Sequence, residues 1–532
     1  MRRTQIVLSS GIAVVTAVAA LAATLAAAPL PPPARLTAAQ CAALKSAPLP
    51  DTTIEVAAEV AGPSFTPPGG VVLNDLPAFC RVVAVTKPAV RSEVWLPMTT
   101  WNGKFQGVGN GGTAGIISYG ALATGIRRGY ATASTDTGHV SKDSADSSWA
   151  LGHPDLVADF GYRGLHVMTE NGKALTRMVY ETPPRYSYYV GCSKGGQQGL
   201  MEAQRFPADY DGLVAGAPAQ NATRSYLAGH LWAALATEKD PESHIPAQKI
   251  PVLARAVTAA CDAIDGITDG VVDDPRRCHF DTASLTCRAG QDPATCFTPK
   301  QATAVKQIWA GATDSKGRRL YPGYMPGAEA GAGGTWERYV SGDGPLDGRH
   351  LRLADGFLKY VVFQDPGYDF RRFNYDTDLP IALKKVSNMI DAMDPDLRPL
   401  RQRGGKLIVY HGWNDPSIPV LNSIDYYESV VRTIGKSAGR EAALADTQTF
   451  YRLFLVPGMQ HCSGGPGTDT FDALTALEAW VEQGQAPVSI PATHRTAGRV
   501  DRSRPLCPYP QAAVYSGSGS TDDAANFRCR SR

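Results

Sequence analysis

The chain has 532 residues, and its 52 lysines and arginines nearly balance its 50 aspartates and glutamates, which gives a formal net charge of +2. This balance, with no block rich in lysine or arginine, excludes an electrostatic basis for nucleic-acid binding. The ten cysteines are an even number, which is typical of a protein that folds in an oxidising compartment.

The N-terminus combines a basic start, at Met1, Arg2 and Arg3, with an apolar and alanine-rich run. This pattern predicts a signal peptide over residues 1–28, with A-x-A-like cleavage options at its end. A membrane anchor is the alternative, but alanine is weakly hydrophobic and a proline-rich stretch, residues 29–33, follows at once. We therefore expect a secreted or periplasmic protein that is not attached to a membrane after cleavage.

A glycine-rich loop follows an early β-prone segment. Residues 104–108 are strand-like, and residues 109–112 continue them as Gly-Asn-Gly-Gly. The N–H groups of such a loop can stabilise negative charge that develops on a substrate oxygen. We predict that Gly111 or Gly112 contributes to an oxyanion hole, and a plain turn is the alternative.

Residues 191–195 read Gly-Cys-Ser-Lys-Gly and fit the G-x-S-x-G pattern of a nucleophile elbow. A β-prone run, residues 186–190, precedes the pentapeptide, and a helical pattern, residues 196–206, follows it. This context predicts a strand-to-helix turn that exposes the Ser193 hydroxyl. The N–H of Lys194 would supply a second oxyanion donor, which leaves the lysine side chain free to point to solvent.

Beyond the elbow helix lies a long stretch in which turn residues are frequent and strand signals sparse. We predict that residues 220–400 form an inserted lid domain above the carboxyl edge of a sheet. The catalytic domain would comprise residues 29–219 and 401–532. A lid can exclude water from a pocket and select its ligand.

Within the predicted lid, residues 261–273 concentrate carboxylates on a loop that contains glycines. Calcium prefers this arrangement, because it takes six to eight hard oxygen ligands from flexible loops. The spacing differs from that of an EF-hand, so a solvated acidic turn remains an alternative. A zinc site at residues 261–296 is disfavoured, because no C-x-x-C pair occurs there.

Two later strand ends supply the partners that a serine nucleophile needs. Residues 406–410 lead towards Asp415, and residues 451–456 lead towards His461. A histidine takes the serine proton and a carboxylate holds the imidazole, so we predict the triad Ser193, Asp415 and His461. This order along the chain is that of the α/β-hydrolase fold.

Three other histidines are weaker candidates for the base. His411 lies four residues before Asp415, where a hydrogen-bonding or packing role at the strand end suits it better. His139 and His166 precede Ser193 and would break the expected order, so we expect both to be structural.

Cysteines flank two members of the predicted triad. Cys192 precedes Ser193 and Cys462 follows His461, so one disulfide could join the two catalytic loops. Trp413, placed near Asp415 at the catalytic strand end, is our candidate for a substrate contact.

These motifs resemble those of the tannase and feruloyl esterase family, which includes mono(2-hydroxyethyl) terephthalate hydrolase. The resemblance covers nearly the whole mature chain and rests on the Cys-Ser and His-Cys motifs, together with further landmarks at residues 101–112, 136–139, 504–507 and 527–529. It implies hydrolysis of esters between an aromatic carboxylic acid and an alcohol.

The resemblance also implies disulfide pairs and a metal site. The implied pairs are Cys41–Cys80, Cys192–Cys462, Cys261–Cys278, Cys287–Cys296 and Cys507–Cys529. It implies a structural Ca²⁺ in the lid, held by the side chains of Asp262, Asp265 and Asp269 and the carbonyls of Ile267 and Val271. No organic cofactor is expected.

We therefore predict a secreted serine esterase that acts through an acyl-enzyme on small aromatic esters of the feruloyl or hydroxycinnamoyl type. Two alternatives within the same class are a tannase acting on galloyl esters and a mono(2-hydroxyethyl) terephthalate hydrolase. From another class, the chain could be a noncatalytic ligand-binding relative that has kept the fold.

Overall fold

A nine-stranded sheet forms the centre of the computed structural model, which describes Met1 and residues 35–141, 143–327, 329–331, 335–436 and 439–531. Apart from Met1, the predicted signal peptide, residues 1–28, lies outside the described residues. The strands of this sheet are β1 Thr52–Val60, β2 Phe79–Thr86, β3 Val90–Pro97, β4 Lys104–Val108, β5 Ala131–Thr135, β6 Tyr186–Cys192, β7 Gly212–Gly216, β8 Lys406–Gly412 and β9 Tyr451–Val456.

The sheet order is β1-β2-β3-β5-β4-β6-β7-β8-β9. The pairings from β1 to β5 are antiparallel, and every pairing from β5 to β9 is parallel. Strands β5 and β7 are buried along their whole length, as parallel strands covered on both faces are. This topology is that of the α/β-hydrolase fold that the sequence predicts.

Helices cover the sheet and fill the insertion between β7 and β8. Helix α4 packs against β5, α5 against β6 and β7, and α15 against β7 and β8. Among the described residues, no helix combines the length and the apolar character needed to cross a lipid bilayer. The helices are α1 Ala38–Ala43, α2 Tyr119–Arg127, α3 Pro154–Ala158, α4 Gly164–Tyr180, α5 Lys194–Arg205, α6 Ala222–Arg224, α7 Leu231–Glu238, α8 Ile250–Cys261, α9 Pro299–Ala310, α10 Arg349–Gly356, α11 Asp378–Ile390, α12 Arg398–Gln402, α13 Val420–Gly435, α14 Arg440–Thr447 and α15 Ala473–Gln483.

The insertion, residues 217–405, carries helices α6 to α12 and contains the predicted lid, residues 220–400. Its described residues form no strand of any sheet. Two apolar clusters make up its interior, and Tyr226 stacks on Phe357 in one of them with 4.3 Å between ring centroids. One cluster lies wholly within the insertion, and the other also contains Val157 and Phe160 from outside it, so the insertion shares part of its core with the rest of the chain.

The C-terminal part adds two small antiparallel sheets, and five disulfides cross-link the chain. The strands are β10 Thr470–Phe471, β11 Ile490–Thr496 and β12 Arg499–Leu506 in one sheet, and β13 Gln511–Tyr515 and β14 Phe527–Ser531 in the other. The disulfides use all ten cysteines in the pairs that the resemblance implied. Four of them close short loops, whereas Cys192–Cys462 joins residues 270 positions apart.

Candidate active site

Ser193 lies at the sharp turn between β6 and α5, with φ 64° and ψ −120°. Such a backbone is strained for a residue with a side chain, and it persists only where the surrounding structure enforces it. The surroundings are crowded here, since a Cβ added at Gly109 would lie 2.6 Å from the Gly195 Cα. The turn therefore presents the Ser193 side chain at the carboxyl edge of the sheet.

The structure brings the three predicted triad residues together. His461 Nε2 lies 2.8 Å from Ser193 Oγ, and His461 Nδ1 lies 2.8 Å from Asp415 Oδ2. We assign the neutral tautomer in which Nδ1–H donates to the carboxylate, because Asp415 can only accept when ionised. Nε2 is then a free base that accepts the serine hydroxyl proton.

Asp415 is buried and receives four hydrogen bonds. The N–H groups of Ser417 and Ile418 donate to Oδ1 at 2.7 and 2.9 Å, and His411 joins His461 at Oδ2. Burial alone would raise the pKa of Asp415, but the charge of His461 and the hydrogen bonds from His411 and His461 lower it well below its usual range. The carboxylate therefore stays ionised and can stabilise an imidazolium.

His411 supports the carboxylate and does not act as the base. Its Nε2 faces two acceptors, Asp415 Oδ2 at 3.2 Å and the Ile418 carbonyl at 3.0 Å, so this nitrogen carries the proton. Its Nδ1 lies 2.8 Å from Ser423 Oγ and accepts from that hydroxyl. The fully buried ring thus holds the same carboxylate oxygen of Asp415 that His461 contacts.

The glycine loop lies directly beside the elbow. Gly111, Gly112 and Lys194 line the same cavity as Ser193. The Gly195 N–H donates to the Asn110 carbonyl at 2.8 Å, and Gln198 binds both the N–H and the side chain of Asn110 at 3.0 and 2.9 Å. The first turn of α5 therefore fixes the loop relative to the nucleophile.

His139 supports the same loop from behind. Its Nε2 donates to the Thr113 carbonyl at 2.9 Å, and its ring stacks on Trp149 with centroids 3.8 Å apart. Burial lowers the pKa of His139 to about 4, so the ring is neutral near pH 7. His139 is therefore placed as a structural residue and not as a base. The same holds for His166, which pairs with Asp209.

The Lys194 side chain differs from the expectation that it points to solvent. It is 5% exposed, its Nζ donates to Gln197 Oε1 at 2.6 Å, and the ammonium lies 3.7 Å from the Phe160 ring centroid. Burial lowers the pKa of this lysine well below its usual range. The contact with the aromatic face offsets part of the cost of burying the charge. The sequence did not reveal that this side chain is buried.

The catalytic cavity has a volume of about 290 Å³ and is closed on one side by the insertion. The insertion contributes nine residues to its wall, and the larger ones include Tyr226, His230, Tyr339, Arg349 and Leu353. None of the described lining residues is an aspartate or a glutamate. Sequence reasoning missed these five residues, because no local motif marks them and only the tertiary fold brings them to Ser193.

His230 belongs to a buried pair of histidines. Its Nδ1 lies 2.8 Å from the Nδ1 of His350, so one ring donates and the other accepts. Burial lowers the pKa of both histidines, that of His350 to about 3. The cavity wall therefore offers a neutral imidazole at this position.

Trp413 lies outside the catalytic cavity, in contrast to its predicted substrate contact. It lines a second cavity of about 600 Å³, and the Arg276 guanidinium lies 4.9 Å from its ring centroid. The Trp413 N–H donates to the Val456 carbonyl at the end of β9. Its backbone is held at the catalytic strand end, but its side chain turns towards the C-terminal strands.

The residues predicted to bind calcium lie on one loop that is folded back on itself. Asp262 Oδ1 accepts the N–H groups of Asp269 and Gly270, Asp265 Oδ1 accepts that of Ile267, and Asp269 Oδ1 accepts that of Val271. Asp269 Oδ2 also binds Arg504 of β12 at 2.7 Å. The donors are hard oxygens, which fit calcium by type.

The carboxylate oxygens of Asp262, Asp265 and Asp269 do not all lie within 4.8 Å of one another. Within the described part of the chain, one group of histidine, cysteine or acidic side chains has its ligand atoms within 4.8 Å of one another, and it consists of His166, Glu202 and Asp209. Calcium binding would have to draw the loop carboxylates together.

The disulfide Cys192–Cys462 joins the two catalytic loops beside the cavity. Its Cα atoms lie 6.0 Å apart, and both cysteines line the cavity with Ser193 and His461. The cross-link therefore restrains the segment before the nucleophile and the segment after the base at one point.

Comparison with known proteins gives a consistent result. The family model described as tannase and feruloyl esterase matches residues 72–530. An uncharacterized esterase from Xanthomonas campestris pv. campestris is 42% identical over 515 residues, which cover 90% of this chain and 89% of the relative. Mono(2-hydroxyethyl) terephthalate hydrolase from Piscinibacter sakaiensis is 36% identical over 496 residues, which cover 81% of this chain and 79% of that protein.

Solved structures agree with the sequence relatives. Feruloyl esterase B from Aspergillus oryzae superposes with a TM-score of 0.83 at 30% identity, covering 93% of this chain and 100% of that chain. The likeness confirms the predicted α/β-hydrolase fold.

We expect Gln198→Leu to lower kcat by about 10- to 100-fold with little change in KM, because small displacements of catalytic groups cost about this much. The substitution removes the two hydrogen bonds between Gln198 and Asn110. Steady-state kinetics on an ester substrate would measure the effect, with the exposed Gln485→Leu as matched control. An unchanged kcat in a folded Gln198→Leu protein would contradict the role given to this clamp.

Proposed function

This chain belongs to the tannase and feruloyl esterase family and is a carboxylic ester hydrolase, and we propose that it is a serine esterase that cleaves esters of aromatic carboxylic acids. One observation carries the proposal. Ser193, His461 and Asp415 form a continuous hydrogen-bonded chain with 2.8 Å contacts at the edge of the cavity. Such a series of hydrogen bonds can convert a serine hydroxyl into a nucleophile.

The reaction proceeds through an acyl-enzyme. Ser193 Oγ attacks the ester carbonyl while its proton moves to His461 Nε2, and Asp415 stabilises the imidazolium that results. The tetrahedral intermediate collapses, the alcohol leaves with the proton from His461, and the acyl group stays on Ser193. Water activated by His461 then attacks the acyl-enzyme and releases the acid.

Backbone N–H groups stabilise the oxyanion in this scheme. The N–H of Lys194 and that of Gly111 or Gly112 are the donors, because these residues line the cavity on either side of the nucleophile. The hydrogen bonds among Asn110, Gly195 and Gln198 support the assignment, since they fix both donors before the substrate arrives.

An aromatic acyl group suits the cavity wall. Phe160, Tyr226 and Tyr339 line the cavity, together with Leu353. Aromatic rings pack favourably on one another with centroids 4.5–7 Å apart. A related protein is named feruloyl esterase B, which supports hydroxycinnamoyl esters as the substrate class here.

We place the enzyme in the periplasm or outside the cell. The five disulfides support this location, because such bonds persist in oxidising compartments. The predicted signal peptide, residues 1–28, supports it independently.

A second candidate substrate is an ester that carries a free carboxylate, as in mono(2-hydroxyethyl) terephthalate. The cavity is lined by two arginines, Arg338 and Arg349, and by no acidic residue among those the structure describes. Arg349 donates to the Ser144 hydroxyl at 2.7 Å and lies 5.9 Å from the centroid of the Tyr339 ring, and it forms no ion pair with an acidic residue among those the structure describes. A relative named mono(2-hydroxyethyl) terephthalate hydrolase adds support.

We further propose that the acidic loop binds one structural Ca²⁺. Asp262, Asp265 and Asp269 would hold the ion by their side chains, and Ile267 and Val271 by their carbonyls. The hard-oxygen donor set supports this proposal. Because Asp269 also contacts Arg504, the ion would tie the insertion to the C-terminal strands.

Ser193→Ala should lower turnover by about 10⁴-fold or more on every ester, because the nucleophile is lost. The measurement is the initial rate on methyl ferulate, methyl p-coumarate, methyl gallate and mono(2-hydroxyethyl) terephthalate. We expect the highest kcat/KM on a hydroxycinnamate. Wild-type protein inactive on all four, or a variant as active as the wild type, would refute the serine mechanism for these esters.

Arg349→Gln should lower kcat/KM for mono(2-hydroxyethyl) terephthalate by about 10- to 100-fold, since a hydrogen bond to a charged group is worth about 1.5–3 kcal/mol. Bis(2-hydroxyethyl) terephthalate, which has no carboxylate, should be affected less. Arg352→Gln is the matched control, because Arg352 is exposed and pairs with Asp143. An equal loss on both esters would exclude carboxylate recognition by Arg349.

Chelation should destabilise the wild-type protein, and calcium at about 100 times its dissociation constant should restore about 2.7 kcal/mol. Asp262→Asn should abolish this response, whereas the exposed Asp292→Asn should keep it. Thermal unfolding with and without calcium provides the readout. Equal melting temperatures in chelator and in calcium would rule the site out.

A further inference from the structure

A second cluster of chemically capable side chains lies at the far end of the nucleophile helix. It consists of His166 on α4, Glu202 on α5 and Asp209 in the turn before β7, and their ligand atoms all lie within 4.8 Å of one another. Glu202 lies nine residues beyond Ser193, which is about 13 Å along a helix that rises 1.5 Å per residue. The cluster therefore has no part in the ester chemistry.

Glu202 is the unusual member of this cluster. It is 1% exposed, and neither of its carboxyl oxygens receives a hydrogen bond from an N–H or hydroxyl group of a described residue, although the carboxyl group of Asp209 lies close enough to share a proton with it. A buried carboxylate without partners is costly, and such groups are normally paired or coordinate a metal. Burial and the neighbouring charge of Asp209 raise the pKa of Glu202 well above its usual range.

The other two members complete a set of ligands. His166 Nδ1 lies 2.6 Å from Asp209 Oδ2, and the imidazole stacks on Phe206 with ring centroids 3.8 Å apart. Besides His166, Lys173 contacts this cluster among the described residues: its Nζ lies 3.7 Å from Asp209 Oδ1 and donates to the Asp209 carbonyl at 2.8 Å. No ion pair to Glu202 is seen in the described part of the chain, so the site can accept further positive charge.

We propose that His166, Glu202 and Asp209 bind a divalent transition-metal ion of the Zn²⁺ class. One imidazole nitrogen and two carboxylate oxygens are typical ligands of this ion, with water in the fourth position. The His166 side chain is 24% exposed, which gives the ion and its water a path from solvent.

The closest pair of ligand atoms needs little rearrangement to bind the ion. Two ligands of a tetrahedral zinc with bonds of about 2.0 Å lie roughly 3.3 Å apart, so His166 Nδ1 and Asp209 Oδ2 would separate by less than 1 Å. The ion replaces the proton between these two groups and supplies the partner that Glu202 lacks. It would join α4, α5 and the turn before β7, so its role is to stabilise the helix that begins at the nucleophile.

The experiment uses the full mature protein, stripped of metals with a chelator and returned to saturating calcium so that the acidic loop is satisfied. Co²⁺ is titrated as a spectroscopic probe and Zn²⁺ by calorimetry, and thermal unfolding is recorded in parallel. We expect one ion per chain, visible ligand-field absorption with Co²⁺, and a higher melting temperature with either metal.

Two glutamine variants identify the ligands. Glu202→Gln and His166→Gln should weaken binding by roughly 100-fold or more. Glu170→Gln is the control, because Glu170 is exposed and lies 3.4 Å from His166 Nε2, where a superficial site would form. It should bind metal as the wild type does.

Two results would overturn the proposal. One is the absence of metal binding by wild-type protein, with Glu202→Gln as stable as the wild type or more so, which would mean that Glu202 and Asp209 share only a proton. The other is binding that survives Glu202→Gln but is lost in Glu170→Gln, which would place the ion on the surface.

Discussion

The parallel pairing of β6, β7, β8 and β9 is the constraint on which the catalytic geometry depends. Parallel strands end at the same edge of a sheet, so the residues that follow them lie close together at that edge. Ser193 follows β6, Asp415 follows β8 and His461 follows β9. Residues far apart in sequence thus meet within hydrogen-bond distance, although no local interaction favours the contact.

Close backbone packing at this edge determines how the oxyanion loop meets the nucleophile. The loop after β4 touches the first turn of α5 so closely that neither Gly109 nor Gly195 could carry a side chain without displacement. Gln198 and His139 then hold the loop from two sides. The N–H groups that we propose as oxyanion donors are therefore held in place by the folded state itself, as electrostatic stabilisation of a transition state requires.

The sequence allowed prediction of the elements whose signals are local. The elbow at Ser193 and the strands leading to Asp415 and His461 follow from patterns a few residues long, and the fold class follows from their order. The burial of Lys194 could not be predicted, because it depends on Phe160 and Gln197, which only the folded chain brings to it. Trp413 shows the same limit, since its sequence position places its backbone but not the direction of its side chain.

The residues that line the cavity could not be predicted from the sequence, for a related reason. Tyr226, Tyr339 and Arg349 come from an insertion without strands, where the helical pattern marks a core but not the side that faces Ser193. Helical periodicity identifies an apolar face. It does not indicate which neighbouring element that face will meet.

The disulfide between Cys192 and Cys462 separates the length of the insertion from the restraint on the two loops that carry Ser193 and His461. Its ring spans 270 positions and contains the whole insertion, yet it closes beside Ser193 and His461. The entropy of closing a ring grows only with the logarithm of its length, about 0.6 kcal/mol for each doubling. A longer or shorter insertion would therefore change little in how the disulfide restrains the loops of Ser193 and His461.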